Sequence, residues 1–190
     1  MKHLAFPAFK AAENGAWSGF IAAWTVSSIL LVVEFAFGVQ SGMFYSVIGI
    51  TLGVTGSPVD SALVGILLHI LAGTLIGAVG GFTIAVCPVL AIHRLTKSLA
   101  VGVSIGIVAW AVLFLPLTVL AVIPRLDRIL VPLAENSELY TIASQATGML
   151  VIVIAGSLLF HALYGLVYGT MMTRLIRYKN RELKNERSYV

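Results

Sequence analysis

Four apolar stretches, each long enough to cross a lipid bilayer, constrain this chain more than any other feature of its sequence. A bilayer core of about 30 Å requires roughly 20 apolar residues in helical form. The hydrocarbon core cannot satisfy open backbone groups, so each span must be helical. We therefore predict an all-α polytopic membrane protein, a four-transmembrane-helix bundle in one domain. The predicted spans are residues 17–38, 61–86, 98–123 and 147–172, followed by a basic cytoplasmic tail, 173–190.

The charged residues support this class and predict its orientation. Only 11% of the residues are charged, against about 25% in a soluble domain. Cytoplasmic loops collect Lys and Arg, so the net charge of +4 is interpreted by position and not as a nucleic-acid signal. If both termini lie on the cytoplasmic face of the cell membrane, most basic residues lie on that face, and only Arg125 and Arg128 lie outside. The cytoplasmic set is Lys2, Lys10, Arg94, Lys97, Arg174, Arg177, Lys179, Arg181, Lys184 and Arg187.

The two connections predicted to lie outside are long. Residues 39–60 are too apolar for a solvated loop, which favours an interfacial or re-entrant segment. Residues 125–146 are expected to hold a short surface helix that breaks at Pro132. The single cysteine, Cys87, lies in an apolar run and is interpreted as a packing residue.

An internal repeat is predicted from matching motifs in the second and fourth spans. "LLHILAGTLIG" and "LLFHALYGLVYG" share His-x-Leu-x-Gly-x-x-x-Gly, which begins at His69 and at His161. The first and third spans share "IAAW" and "IVAW", which end at Trp24 and Trp110. Because the motifs recur in the same order, we predict two helical hairpins descended from one.

Small residues at intervals of four form ridges on these helices. Glycine surfaces allow a second backbone to approach closely, and helices in lipid associate through such contacts. We expect the ridges to be helix-packing faces within the bundle. The predicted packing residues are Gly65, Gly73, Gly77, Gly81, Gly165 and Gly169.

The histidines inside the spans allow two interpretations. An ionisable residue at membrane depth is costly and is a candidate for function. We favour neutral imidazoles of His69 and His161, each hydrogen-bonded to a neighbouring helix. The alternative is that the two rings face each other as axial ligands of haem b, with the adjacent glycines leaving room for the porphyrin. No C-x-x-C-H motif for covalent haem attachment exists, and no metal site is predicted.

Glu34 is the only carboxylate within a predicted span. Its position near the helix end favours a side chain that reaches the outer headgroups. The alternative is a carboxylate that is protonated, or paired with His69, in a polar path through the bundle. Tyr164 and Tyr168 follow His161 at helical spacing and would lie on the same side of that path.

The layout resembles small four-helix membrane proteins of the YagU type. The resemblance is carried by His69 with its glycines, by "LFLPL" at Leu113 to Leu117, and by the segment from His161 to Gly169. It covers about the last two thirds of the chain. It implies four spans, internal histidines and a basic C-terminal end, and it supplies no reaction.

We predict a protein without catalysis of its own, because no motif for nucleophilic attack, phosphate binding or nucleotide binding is present. The favoured function is a structural or accessory subunit, in contact with the lipid bilayer and packed in a homo-oligomer or a larger membrane complex. No cofactor is expected under this hypothesis, and no nucleic acid. Two alternatives stay open: a haem-binding electron-transfer module using His69 and His161, and a small proton-linked transporter using Glu34 and both histidines.

Overall fold

The computed structural model describes residues 8–90, 92, 94–130 and 137–188. Every regular element in these residues is helical. Four helices of the described part are long and apolar enough to cross a membrane, which confirms the predicted all-α, four-helix class. The helices are α1 (Ala8–Ala36), α2 (Met43–Thr51), α3 (Pro58–Val86), α4 (Leu95–Ala109), α5 (Leu115–Leu117), α6 (Ile123–Leu130), α7 (Glu138–Gly148) and α8 (Leu150–Ser188).

The third span is one apolar helix with irregular turns around Pro116. It runs from Leu95 to Leu126, and π-helical turns at Trp110–Phe114 and Thr118–Val122 lie on either side of α5. Proline has no backbone N–H and clashes with the preceding turn, so the regular hydrogen-bond ladder cannot pass through it. Widened turns are a common way for a helix to absorb such a defect.

The long helices pack as two antiparallel pairs, α1 with α3 and α4 with α8, and α8 also packs on α1. The buried side chains between them are mostly small, so the helices lie close together. Two tyrosines of α8 are the large exceptions. The shared core consists of Ala22, Ala23, Val26, Ile84, Val101, Tyr164 and Tyr168.

The apolar segment between the first two spans folds into a short helix against α3. Gly49 of α2 lies against the backbone of Ser61, and Gly65 of α3 lies against the backbone of Tyr45. These two contacts show that α2 runs antiparallel to the beginning of α3. The nine residues of α2 extend only about 14 Å, which is less than half the thickness of a bilayer core.

A second apolar core joins α2 to α6 and α7 at this end of the bundle. It is separate from the core between the long helices, and its members come from segments far apart in sequence. The predicted break at Pro132 lies outside the described residues, as does Lys2. The core consists of Met43, Val47, Ile50, Leu126, Leu139, Ile142, Ala143 and Ala146.

Candidate functional site

Glycines bring the backbones of the paired helices into direct contact. A Cβ atom added to Gly19 would lie 2.9 Å from the Gly77 Cα, and one added to Gly102 would lie 3.0 Å from the Gly169 Cα. Each of the packing glycines predicted in α3 and α8 lies against another helix of the same chain. The ridges are therefore occupied inside the molecule, and a partner protein cannot bind to them at the same time.

This packing removes one argument for haem. The sequence hypothesis placed a porphyrin face beside the glycines that follow each histidine. In the structure, α1 fills the space next to Gly73 and Gly77, and α4 fills the space next to Gly165 and Gly169. The space beside these glycines is therefore not available to a porphyrin. The presence of two imidazoles is the one observation that still supports haem binding.

The two hairpins share the histidine motif but not the tryptophan motif. Gly19 contacts Gly77 and Gly102 contacts Gly169, so the packing makes Gly19 and Gly102 equivalent positions in the two hairpins. The sequence match instead makes Trp24 and Trp110 equivalent. These two alignments of the hairpins differ by three residues. Trp24 is 57% exposed, while the Trp110 Nε1 donates a hydrogen bond of 2.9 Å to the Ser157 Oγ. Descent of the hairpins from one ancestor stays a prediction.

Tyr164 and Tyr168 connect the two hairpins. The Tyr164 hydroxyl donates to the Gly73 carbonyl oxygen at 2.6 Å, and the Tyr168 hydroxyl donates to that of Gly77 at 3.2 Å. Both hydroxyls are thus used in tying α8 to the glycine ridge of α3. Their hydrogen bonds give both tyrosines a structural role, and a polar path along them stays a prediction.

Glu34 is buried, and the prediction that it reaches the outer headgroups is wrong. Its side chain is 1% exposed. Its carboxylate accepts hydrogen bonds from the backbone N–H of Gly42 at 2.5 Å and of Phe44 at 3.0 Å. A helix leaves its first N–H groups without partners and carries partial positive charge at that end. Glu34 therefore caps the N-terminus of α2, and its hydrogen bonds go to α2 and not to His69.

Arg125 acts on the opposite end of the same helix. Its guanidinium Nη1 donates a hydrogen bond of 2.8 Å to the Thr51 carbonyl oxygen. Thr51 is the last residue of α2, where the carbonyl groups lack partners and the helix dipole favours a cation. A short helix is therefore held by an anion from α1 and a cation from the third span.

His69 lies beside Tyr45 of α2 in a cluster of buried polar groups. The ring centroids are 5.5 Å apart in an edge-on arrangement. Tyr45 is 2% exposed, and burial raises the pKa of its hydroxyl to about 12, so the phenol stays neutral. The Ser27 hydroxyl, on α1, lies near that of Tyr45. In the described part of the chain the His69 Nε2, the Tyr45 hydroxyl and the Ser27 hydroxyl are all buried without a hydrogen bond.

His161 has one nitrogen occupied. Its Nδ1 lies 2.7 Å from the Ser157 carbonyl oxygen. A carbonyl oxygen only accepts, so the Nδ1 carries the proton, and the Nε2 of the neutral ring has a free lone pair. The Phe114 ring lies 5.3 Å from the imidazole. His161 lies one turn before Tyr164 on α8, and His69 lies one turn before Gly73 on α3. Because the Tyr164 hydroxyl binds the Gly73 carbonyl oxygen, the two histidines lie at the same level of neighbouring helices.

The structure thus brings together His69 and His161, and adds two groups that the sequence did not single out. Ser27 belongs to none of the motifs in the sequence, and Tyr45 falls in the apolar segment 39–60. Within the described residues no group of three or more His, Cys, Asp or Glu side chains could hold a metal ion. The cluster offers two imidazoles and two neutral hydroxyls, a set that suits hydrogen bonding and proton transfer.

Comparisons with protein families, with curated proteins and with solved structures found no match to this chain. The resemblance to the YagU type stays a prediction.

Proposed function

We propose that this integral membrane protein is a small proton-linked transporter that also conducts protons on its own, with His69 as the group that takes up and releases the proton. One observation carries the proposal: the His69 Nε2 is buried in an apolar span and has no hydrogen-bond partner among the described residues. Leaving a buried polar atom unpaired costs about 1 to 3 kcal/mol. Such a cost inside a membrane is typical of a site that meets a proton, a water or a substrate group during function.

Neighbouring groups would complete the proposed path of the proton. Tyr45 and Ser27 offer hydroxyls that both donate and accept hydrogen bonds. His161 offers the lone pair of its Nε2, because its Nδ1 is held by Ser157. His161 lies at the level of His69 on α8, and we propose it as the next group on the path, since an imidazole can both accept and donate a proton.

The proposed location is the cytoplasmic membrane, with both termini in the cytoplasm. The positive-inside rule supports it, because ten of the twelve Lys and Arg residues then lie on the cytoplasmic side. In this orientation α2 and α7 lie at the outer end of the bundle.

Proton flux in lipid vesicles tests the proposal. We expect the purified protein in vesicles with an internal pH dye to collapse a potassium-driven membrane potential by proton entry. Vesicles that contain the His69→Gln variant should show the same proton flux as protein-free vesicles, because an amide keeps the polarity of the side chain but cannot carry the proton. Tyr164→Phe is the matched control and should keep most of the flux, since the Tyr164 hydroxyl serves packing. A His69→Gln variant with wild-type flux, or a wild-type protein without flux, would refute the proposal.

A second candidate is the non-catalytic subunit of an assembly in the membrane. An aromatic stripe on the exposed face of α1 favours it. Trp17 meets Phe20 edge to face with ring centroids 6.1 Å apart, and Phe20 stacks on Trp24 at 6.4 Å. Trp24 lies in the middle of α1, next to the residue that contacts Gly73. Tryptophan on a lipid-facing surface is common at the membrane interfaces, so a mid-helix position suits a protein neighbour better.

The mass of the purified protein tests this second candidate. We expect a homo-oligomer in mild detergent by light scattering, and a monomer when Trp17, Phe20 and Trp24 are all changed to Leu, because the stripe is lost while the span stays apolar. Changing the exposed Leu67, Leu71 and Leu75 of α3 to Val is the control. A wild-type protein that runs as a monomer contradicts the subunit hypothesis.

A further inference from the structure

We propose that α2 is a gate over the buried histidine, held closed by Glu34 at its first turn and by Arg125 at its last. This inference rests on the proposed function, in that the site it controls is the one around His69. It concerns how that site is reached from the end of the bundle that carries α2 and α7.

The position of α2 covers the polar cluster. Tyr45 projects from α2 onto the edge of the His69 ring, and its backbone lies against Gly65, one turn before His69 on α3. The Ser27 hydroxyl is next to the same tyrosine. Movement of α2 away from α3 would therefore uncover the cluster, because Tyr45 is the part of α2 that contacts it.

Glycine hinges lie on both sides of the helix. Gly38 and Gly42 precede α2 with φ values of 67° and 86°, and Gly53 follows it with φ of 89°. These left-handed conformations are freely available only to glycine. Gly38 and Gly53 have no neighbouring atoms within 4 Å of an added Cβ, so the chain has room to turn at either end. A short rigid element between such residues is the usual architecture of a lid.

Two charged contacts hold the ends of this lid, in addition to its apolar packing on α3, α6 and α7. Glu34 binds two backbone N–H groups at the first turn, and Arg125 binds the last residue of α2. Both side chains come from outside the hairpin that α2 forms with α3. Each interaction combines a charge-assisted hydrogen bond with the helix dipole, so weakening either one should shift the gate toward the open state.

Thiol labelling from each side of the membrane tests the gate. In a Cys87→Ser background, Ser27→Cys places a near-isosteric reporter in the cluster. The probe is a cationic methanethiosulfonate that cannot cross the bilayer. We expect slow labelling of this reporter, and labelling about tenfold faster from the side of residues 39–60 when Glu34→Gln is added. Arg125→Gln should act in the same direction.

Two controls separate gating from other effects. Asp60→Asn neutralises an exposed carboxylate in the first turn of α3 and should leave the rate unchanged. A second reporter, Ser18→Cys, is fully buried against α8 and should stay unlabelled in every variant. The gate is refuted if neither Glu34→Gln nor Arg125→Gln changes the rate, if the increase comes only from the opposite side, or if Ser18→Cys becomes labelled in parallel. Labelling requires no flux, so failure of the transport proposal and failure of the gate are observed separately.

Discussion

Changing Gly165 to alanine is expected to destabilise the protein by about 1 to 3 kcal/mol. An added Cβ would lie 2.6 Å from the Val103 Cα and 2.7 Å from the Gly102 carbonyl carbon. Both are backbone atoms, so no flexible side chain can move aside and helices α4 and α8 must separate. The loss should outweigh the gain of about 1 kcal/mol that alanine brings to a helix over glycine.

Unfolding in mixed micelles of mild detergent and dodecyl sulfate, followed by tryptophan fluorescence, measures this effect. Gly156 is the matched control, because it lies on the same helix and an added Cβ meets nothing within 4 Å. Gly156→Ala should therefore leave the free energy of unfolding unchanged or raise it. Equal effects of the two substitutions would show that the contact between α4 and α8 does not depend on glycine.

Changing Glu34 to alanine is expected to cost about 2 to 5 kcal/mol of stability. The substitution leaves the N–H groups of Gly42 and Phe44 without their acceptor, and each unsatisfied buried group costs about 1 to 3 kcal/mol. It also removes the anion from the positive end of α2. We expect α2 to detach locally while the four long helices stay folded, since their contacts do not include Glu34.

A double-mutant cycle with Arg125→Ala shows whether α2 behaves as one unit. If the loss of either end releases the whole helix, the second substitution adds little, and the two effects fall short of additivity by about 0.5 to 3 kcal/mol. The measurement is the same micelle titration. Glu138→Ala, in the exposed first turn of α7, is the control and should change stability by less than about 0.5 kcal/mol. Additive effects of Glu34→Ala and Arg125→Ala would contradict a cooperative α2.

The spans and the glycine contacts could be predicted because each depends directly on the type of residue at a position. Bilayer thickness requires long apolar helices, and only glycine allows backbones to meet at Gly77 and Gly165. These features need no knowledge of which segments are neighbours.

The roles of Glu34, Tyr164 and Tyr168 could not be predicted, because their partners are backbone atoms. A backbone N–H or carbonyl has no residue identity, so no sequence pattern records that Gly42 or Gly73 is the partner. The distance of Glu34 from the helix end does not reveal that the chain turns back beside α1. The position of Tyr45 over His69 depends on the same turn and was missed for the same reason.

The contact between Arg125 and Thr51 also has a consequence for biogenesis. The two residues are 74 positions apart in the chain, and ribosomes add about 5 to 20 residues per second. For roughly 4 to 15 s after its synthesis, α2 therefore has neither its cation nor the apolar surface of α6 and α7. We expect α2 to reach its final packing late, after the second hairpin has entered the membrane. Until then the insertion machinery must protect the apolar surface of a helix that is only half as long as a span.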